Sequence, residues 1–155
     1  MNCTFFGHHD APEHIKPKLK ETILNIFDRG VSSFYVGNNG RFDFLVQEAL
    51  NELNKSYSIK YSIILSYLNE KAIIGNQENT LYPEELEGVY QRFAISKRNE
   101  WLLKKSSIII AYVQNSFSNS YKWIEKARKK GLIIINLASA DLSADFKLFE
   151  YKSLE

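Results

Sequence analysis

A single cysteine, Cys3, stands among the 155 residues. One thiol excludes an internal disulfide. Its place in the first apolar run points to a buried side chain and a reducing compartment. Charge of one sign is also lacking. Lys and Arg number 20 against 18 Asp and Glu, for a net charge of +2. That balance argues against a nucleic-acid partner recognised through the field of the whole molecule. Long apolar runs are missing too. Nothing approaches the roughly 20 residues that a membrane span requires, and no secretory leader opens the chain. The expectation is a soluble cytoplasmic protein with no membrane partner.

Familiar fingerprints are absent as well. No G-x-G-x-x-G follows a strand and no P-loop lysine is in place, which disfavours a dinucleotide dehydrogenase or an ATPase. His8, His9, Asp10 and His14 form the chain's one histidine-rich stretch. Adjacent loop histidines rarely converge on one point, and no second His or Cys cluster could complete a metal site. No serine sits in a nucleophile elbow. No metal and no cofactor are therefore expected.

What is present is a pattern. Five apolar runs recur, at Cys3 to Phe6, Ser33 to Val36, Lys60 to Tyr67, Ser107 to Val113 and Leu132 to Leu137. Their β-branched and aromatic content suits strands covered on both faces. Helical periodicity fills the gaps. Leu19, Ile23, Ile26 and Phe27 share one face, and Phe42, Leu45, Val46, Ala49, Leu50 and Leu53 share another. Gly30 sits where a helix cap belongs. Arg92 to Lys105 reads as a helix offering Phe93, Ile95, Trp101 and Leu102 to the core, and Ser118 to Lys130 reads as a fourth helix. The alternation predicts an α/β fold: one domain over residues 1–155, a three-layer Rossmann-like sandwich with a mostly parallel sheet of about five strands. Residues 69–83 read as a polar loop. Residues 138–155 read as an edge strand or docking helix, and with the exposed hydrophobes of the Arg92–Lys105 helix they could form the interface of a homodimer or higher homo-oligomer.

In such sheets ligands bind at the strand carboxyl ends. The loops there read Gly7-His8-His9-Asp10, Gly37-Asn38-Asn39-Gly40 and Gln114 to Ser120, which includes Ser116 and Ser118. The helix opening near Arg41 offers unpaired amides to an anion. Asp43 could face the cleft or merely complement the helix dipole. Arg98 could grip a phosphate or form a surface pair with Glu100 or Glu125. Glu48 falls on another helix face and reads as exposed. Tyr35, Tyr82, Tyr112 and Phe117 lie at strand ends or loops, where one could stack on a base.

Four segments in order, "CTFFGHHD", "YVGNNGRFD", "QRFAISKRNEWLLKKSSIIIAYV" and "KKGLIIINL", make residues 1–137 resemble the SLOG superfamily of SMF/DprA and LOG proteins, in its small bacterial YpsA-like branch. The resemblance implies a Rossmann-like fold and a nucleotide-derived ligand. Residue by residue, it implies phosphate held by Gly37, Asn38, Asn39 and Gly40 and neutralised by Arg98. Asp43 and Arg98 are the implied catalytic pair. Gly7, His8 and Asn99 border ribose or base; the loop after the fourth apolar run, by its position and not by the resemblance, adds Ser116 and Ser118 as ligand contacts. The LOG branch implies hydrolysis of an N-glycosidic bond, and other relatives imply a non-catalytic nucleotide sensor or sequestering protein, for example in phage–host conflict. The sequence departs from its relatives at His9, from related small proteins at Ser118 to Ser120, and from the LOG enzymes at Asn38 and Asn39 and in lacking their threonine and paired glutamates.

Overall fold

A computed structural model describes residues 1–68, 79–139 and 145. Its elements alternate as the apolar pattern requires. In order they are β1 (Asn2–Gly7), α1 (Lys16–Asp28), β2 (Ser33–Val36), α2 (Arg41–Leu53), β3 (Lys60–Ile64), β4 (Thr80–Leu81), α3 (Gln91–Lys105), β5 (Ile108–Tyr112), α4 (Asn119–Lys129) and β6 (Ile133–Asn136). The strands form one parallel sheet in the order β4-β3-β2-β1-β5-β6. The strand count exceeds the expected five. The extra strand is the two-residue β4, inside the segment read as a loop and too short to register as an apolar run. The remaining loop residues, 69–78, and the tail beyond 139 apart from Asp145 lie outside the described residues.

Strand side chains alternate between two cores, as pleating demands. Cys3, Phe5, Phe34, Val36 and Ile110 face one core with Leu19, Ile23, Leu45 and Leu50, from α1 and α2. Phe6, Ile109 and Ala111 face the other with Trp101, Leu102, Trp123 and Ile124, from α3 and α4. The sandwich thus has α1 and α2 on one face and α3 and α4 on the other. Every residue of β5 is buried, as expected for a strand covered on both sides. Burial pushes the Cys3 thiol pKa well above its usual value. Each fully buried large side chain contributes about 1.5–3 kcal/mol.

Two readings need correction. Phe93 is 46% exposed, with the Arg92 guanidinium over its ring, because it falls on the outer side of α3. Glu48 is half-buried rather than open to solvent: Lys16 reaches from α1 to Glu48 (3.3 Å) and Glu52 (2.6 Å) on α2. Lys20 adds a second contact to Glu52 at 3.0 Å.

Candidate functional site

The chain lays β1 to β4 down in one direction, then crosses to place β5 and β6 on the other side of β1. Strand order therefore reverses between β1 and β5, and a crevice opens outside their carboxyl ends. The loops after β1, β2 and β5 border it.

The corner after β2 is built around glycines. Gly40 has φ 90 and ψ 170, a region left almost entirely to glycine. A Cβ there would lie 2.4 Å from His9 Nδ1. Close approach lets the Arg41 amide donate to the His9 carbonyl at 2.8 Å, which ties the corner to the β1 loop. The Asn39 amide donates to Asp43 Oδ2 at 2.9 Å, so the first anion at this helix start is the chain's own carboxylate. The wholly buried Gln47 donates from Nε2 to the Gly37 carbonyl at 2.9 Å.

Arg98 enters from the opposite layer and is 2% exposed. Its Nη1 donates to Asn39 Oδ1 (2.8 Å), Asn38 Oδ1 (3.3 Å) and the Ile64 carbonyl (3.5 Å). Its Nε and Nη2 both donate to Asn99 Oδ1, each at 3.3 Å. The paired asparagines thus have a physical purpose: short side chains that offer carbonyl oxygens to a buried cation. Glu100 and Glu125 bond to Lys97 and Arg128 instead. Gly37, Asn39, Asp43, Arg98 and Asn99 line a cavity of about 60 Å³ with Gly7. That space is large enough to hold ordered water beside Asp43.

A roomier space lies between the β1 and β5 loops. It holds about 350 Å³ and is lined by His8, His9, Asp10, Asn115, Ser118 and Ser120, with Gln114 and Asn119. His8 Nε2 accepts from the Gln114 amide at 2.7 Å, so its ring proton belongs on Nδ1. The ring also meets Tyr112 edge-on at 6.0 Å. Ser118 caps α4, accepting from the Tyr121 amide at 3.1 Å and donating to the Asn115 carbonyl at 2.8 Å. Ser120 donates to the Gly7 carbonyl at 2.8 Å. Ser116 is exposed and lines neither space.

The expected residues therefore divide into two neighbouring groups. Gly7, Gly37, Asn39, Asp43, Arg98 and Asn99 surround the small cavity, and Asn38 joins them through Arg98. His8 and Ser118 flank the larger crevice. His9, Asn119 and Ser120 line both and connect them. Those three were not singled out as site residues from the sequence, and neither was Gln47. His9, Asn119 and Ser120 have one visible signal, membership of polar loops after apolar runs, whereas Gln47 lies inside α2. Among the four aromatic candidates, Phe117 is 91% exposed and lines neither space, although Asn115 and Ser118 on either side of it line the crevice. Tyr35 packs on Trp101, Tyr82 bonds to the Leu86 carbonyl, and Tyr112 is buried. Among the described residues no three His, Cys, Asp or Glu side chains cluster as metal ligands.

No protein-family model and no curated protein sequence matches the chain. One solved structure it resembles is DNA processing protein A from Helicobacter pylori, described for its single-stranded DNA binding mode. The identity is 15% and the TM-score 0.49, over 99% of this chain and 73% of that one. Balanced overall charge does not exclude a nucleic-acid partner, and the expectation of none is withdrawn. The physical reason is that a net charge of +2 averages over local clusters, such as the five lysines gathered between α3 and α4. No helix among the described residues is long and apolar enough to cross a membrane.

Proposed function

We propose that the chain binds a nucleotide or ribosylated nucleotide derivative at the carboxyl end of its sheet, as a cytoplasmic receptor that leaves the ligand intact. The observation that supports this reading is the crevice of about 350 Å³ at the reversal of strand order. Ligand pockets typically enclose about 300–1,000 Å³. In this reading the first amides of α4 take the phosphate, where the helix dipole favours an anion, and the Ser118 and Ser120 hydroxyls turn from the Asn115 and Gly7 carbonyls to donate to it. His8, His9 and Asn119 contact the ribose, and Phe117 covers the base. Arg98, Asn38, Asn39 and Asn99, with Gly37 and Gly40, form the rigid wall behind it.

Hydrolysis of the N-glycosidic bond is the second reading. It is favoured by one observation: the cavity beside Asp43 shares His9, Asn119 and Ser120 with the crevice. A water there would stand between the carboxylate and a bound sugar, placed to attack as positive charge develops at the anomeric carbon.

The test is incubation with nucleoside monophosphates, NAD and cyclic nucleotides, followed by melting and chromatography. A receptor gains about 2.7 kcal/mol at a ligand concentration of 100 Kd, and the ligand is recovered unchanged. Ser120→Ala with Ser118→Ala removes the gain. Free base released by the wild type and not by Asp43→Asn selects hydrolysis instead. No shift with any of these ligands at millimolar concentration overturns both readings.

A further inference from the structure

Between α3 and α4, on the face of the sheet opposite α1 and α2, runs a groove of about 610 Å³ that nothing in the ligand reading uses. The short turn Glu84–Leu86 closes one side. Its floor is apolar: Leu86, Trp101, Leu103 and Trp123 are each buried, with narrow edges exposed to the groove. Its rim is basic, with Lys97 and Lys104 on α3 facing Lys126, Lys129 and Lys130 from α4 and its end.

The charge exceeds what local structure consumes. Glu100 pairs with Lys97 at 3.4 Å. Lys104, Lys126, Lys129 and Lys130 make no ion pair with any described residue. Lysines at a helix carboxyl end do suit its dipole, but each end carries only about half a negative charge. Two helix ends leave most of the rim's charge unanswered, and among the lining residues Glu85 is the one other acid.

We propose that this groove docks an acidic amphipathic segment of a protein partner, with apolar side chains on the tryptophan floor and carboxylates against the lysine rim. A single-stranded nucleic acid would satisfy the rim but not the floor. Base stacking needs an open ring face, whereas Trp101 and Trp123 are 9% and 7% exposed. Lys126 Nζ also stands 4.6 Å from the Trp123 ring centroid. A second copy presenting the same face would set lysine against lysine.

The chain's two tryptophans both line the groove, so intrinsic fluorescence reports on it directly. The probe is a synthetic helix with Leu and Phe on one face and Glu on the other. A scrambled peptide of the same composition and an oligo-dT strand serve as comparisons. The amphipathic peptide is expected to shift tryptophan emission and to bind at least about tenfold more tightly than either comparison. Lys126→Glu with Lys129→Glu and Lys130→Glu should weaken it by at least about tenfold. Lys104→Glu on the opposite wall should weaken it in the same direction, and serves if the triple variant unfolds. An unchanged emission spectrum, equal binding of the scrambled peptide, tighter binding of oligo-dT, or affinity that survives charge reversal overturns the proposal.

Discussion

The Asp43 carboxylate and the Arg98 guanidinium come together over Gly37: a Cβ on that glycine would lie 2.8 Å from Asp43 Oδ2 and 2.9 Å from Arg98 Cζ. One group comes from α2 and the other from α3, on opposite faces of the sheet. They approach past the end of β2, where bare backbone leaves room. Gly37→Ala should therefore cost about 1–3 kcal/mol by overpacking. Urea denaturation measures it, and a loss under 0.5 kcal/mol, the ordinary scale of a neutral surface change, would show that the corner yields freely.

Arg98 anchors that corner from below. Replacing it with Met keeps the bulk but leaves the carbonyl oxygens of Asn38, Asn39 and Asn99 without this donor, and removes the cation beside Asp43. The expected loss is about 3–5 kcal/mol. Arg98→Lys should recover less than half, because one ammonium cannot reach Asn39 and Asn99 together as the fork does. Full recovery by lysine would show that the fork geometry is unimportant.

Gly40→Ala combines two penalties, a backbone region costly to any side chain and a clash with His9. About 1–3 kcal/mol belongs to the backbone. Adding His9→Gly should relieve the imidazole clash and leave the backbone part, together with the tight 3.0 Å approach to the Cα of residue 9. If the double variant regains wild-type stability, the conformation at Gly40 carries no strain for alanine.

Phe117 offers the cleanest separation of ligand binding from folding. At 91% exposure its replacement by Ala should leave the melting temperature of the free protein unchanged. A base stacked on it is worth about 1–3 kcal/mol, so nucleotide affinity should fall by about fivefold to a hundredfold or more. Equal nucleotide affinity of the two proteins by titration calorimetry would remove Phe117 from the site.

Stability should also depend on pH through the α1–α2 contact. Hydrogen bonds from Lys16, then Lys20, hold the Glu52 carboxyl below the usual carboxylate pKa. A depressed folded-state pKa stabilises at pH above the unfolded value, and the contribution is lost as pH falls through the folded value. Glu52 chiefly raises the Lys16 pKa, so at the alkaline end the same contact is lost as pH rises through the raised lysine value. The pair is partly exposed, so the effect is about 0.2–1 kcal/mol. Glu52→Gln should lower the melting temperature slightly at neutral pH and leave it unchanged near pH 2. An equal drop at both pH values would mean that packing, not charge, is responsible.

The layers were legible because β5 and the helix faces of α1 and α2 carry simple periodic signals. Ile108 to Tyr112 is apolar without interruption, and Leu19, Ile23 and Ile26 repeat at helical spacing. β4 was not legible, since two residues hold no period and pair only because β3 already stands beside them. The corner at Gly37 to Gly40 was readable as a turn, while the use of its asparagines was not. Their partner, Arg98, lies some sixty positions later, and only the placement of α3 brings it near. The convergence of Ser120 with His9 was not legible for the same reason: they are neighbours because β1 pairs with β5, a fact no local window contains.

That last pairing bears on how the protein is made. β1 is made well before β5 and sits in the interior of the sheet, with Cys3 opposite Ile108 and Gly7 opposite Tyr112. Until synthesis passes Tyr112, one edge of this highly apolar strand has no partner within the chain. The nascent protein must therefore carry an open, sticky seam while everything between β1 and β5 is made, a period in which holding chaperones or slow elongation would matter most.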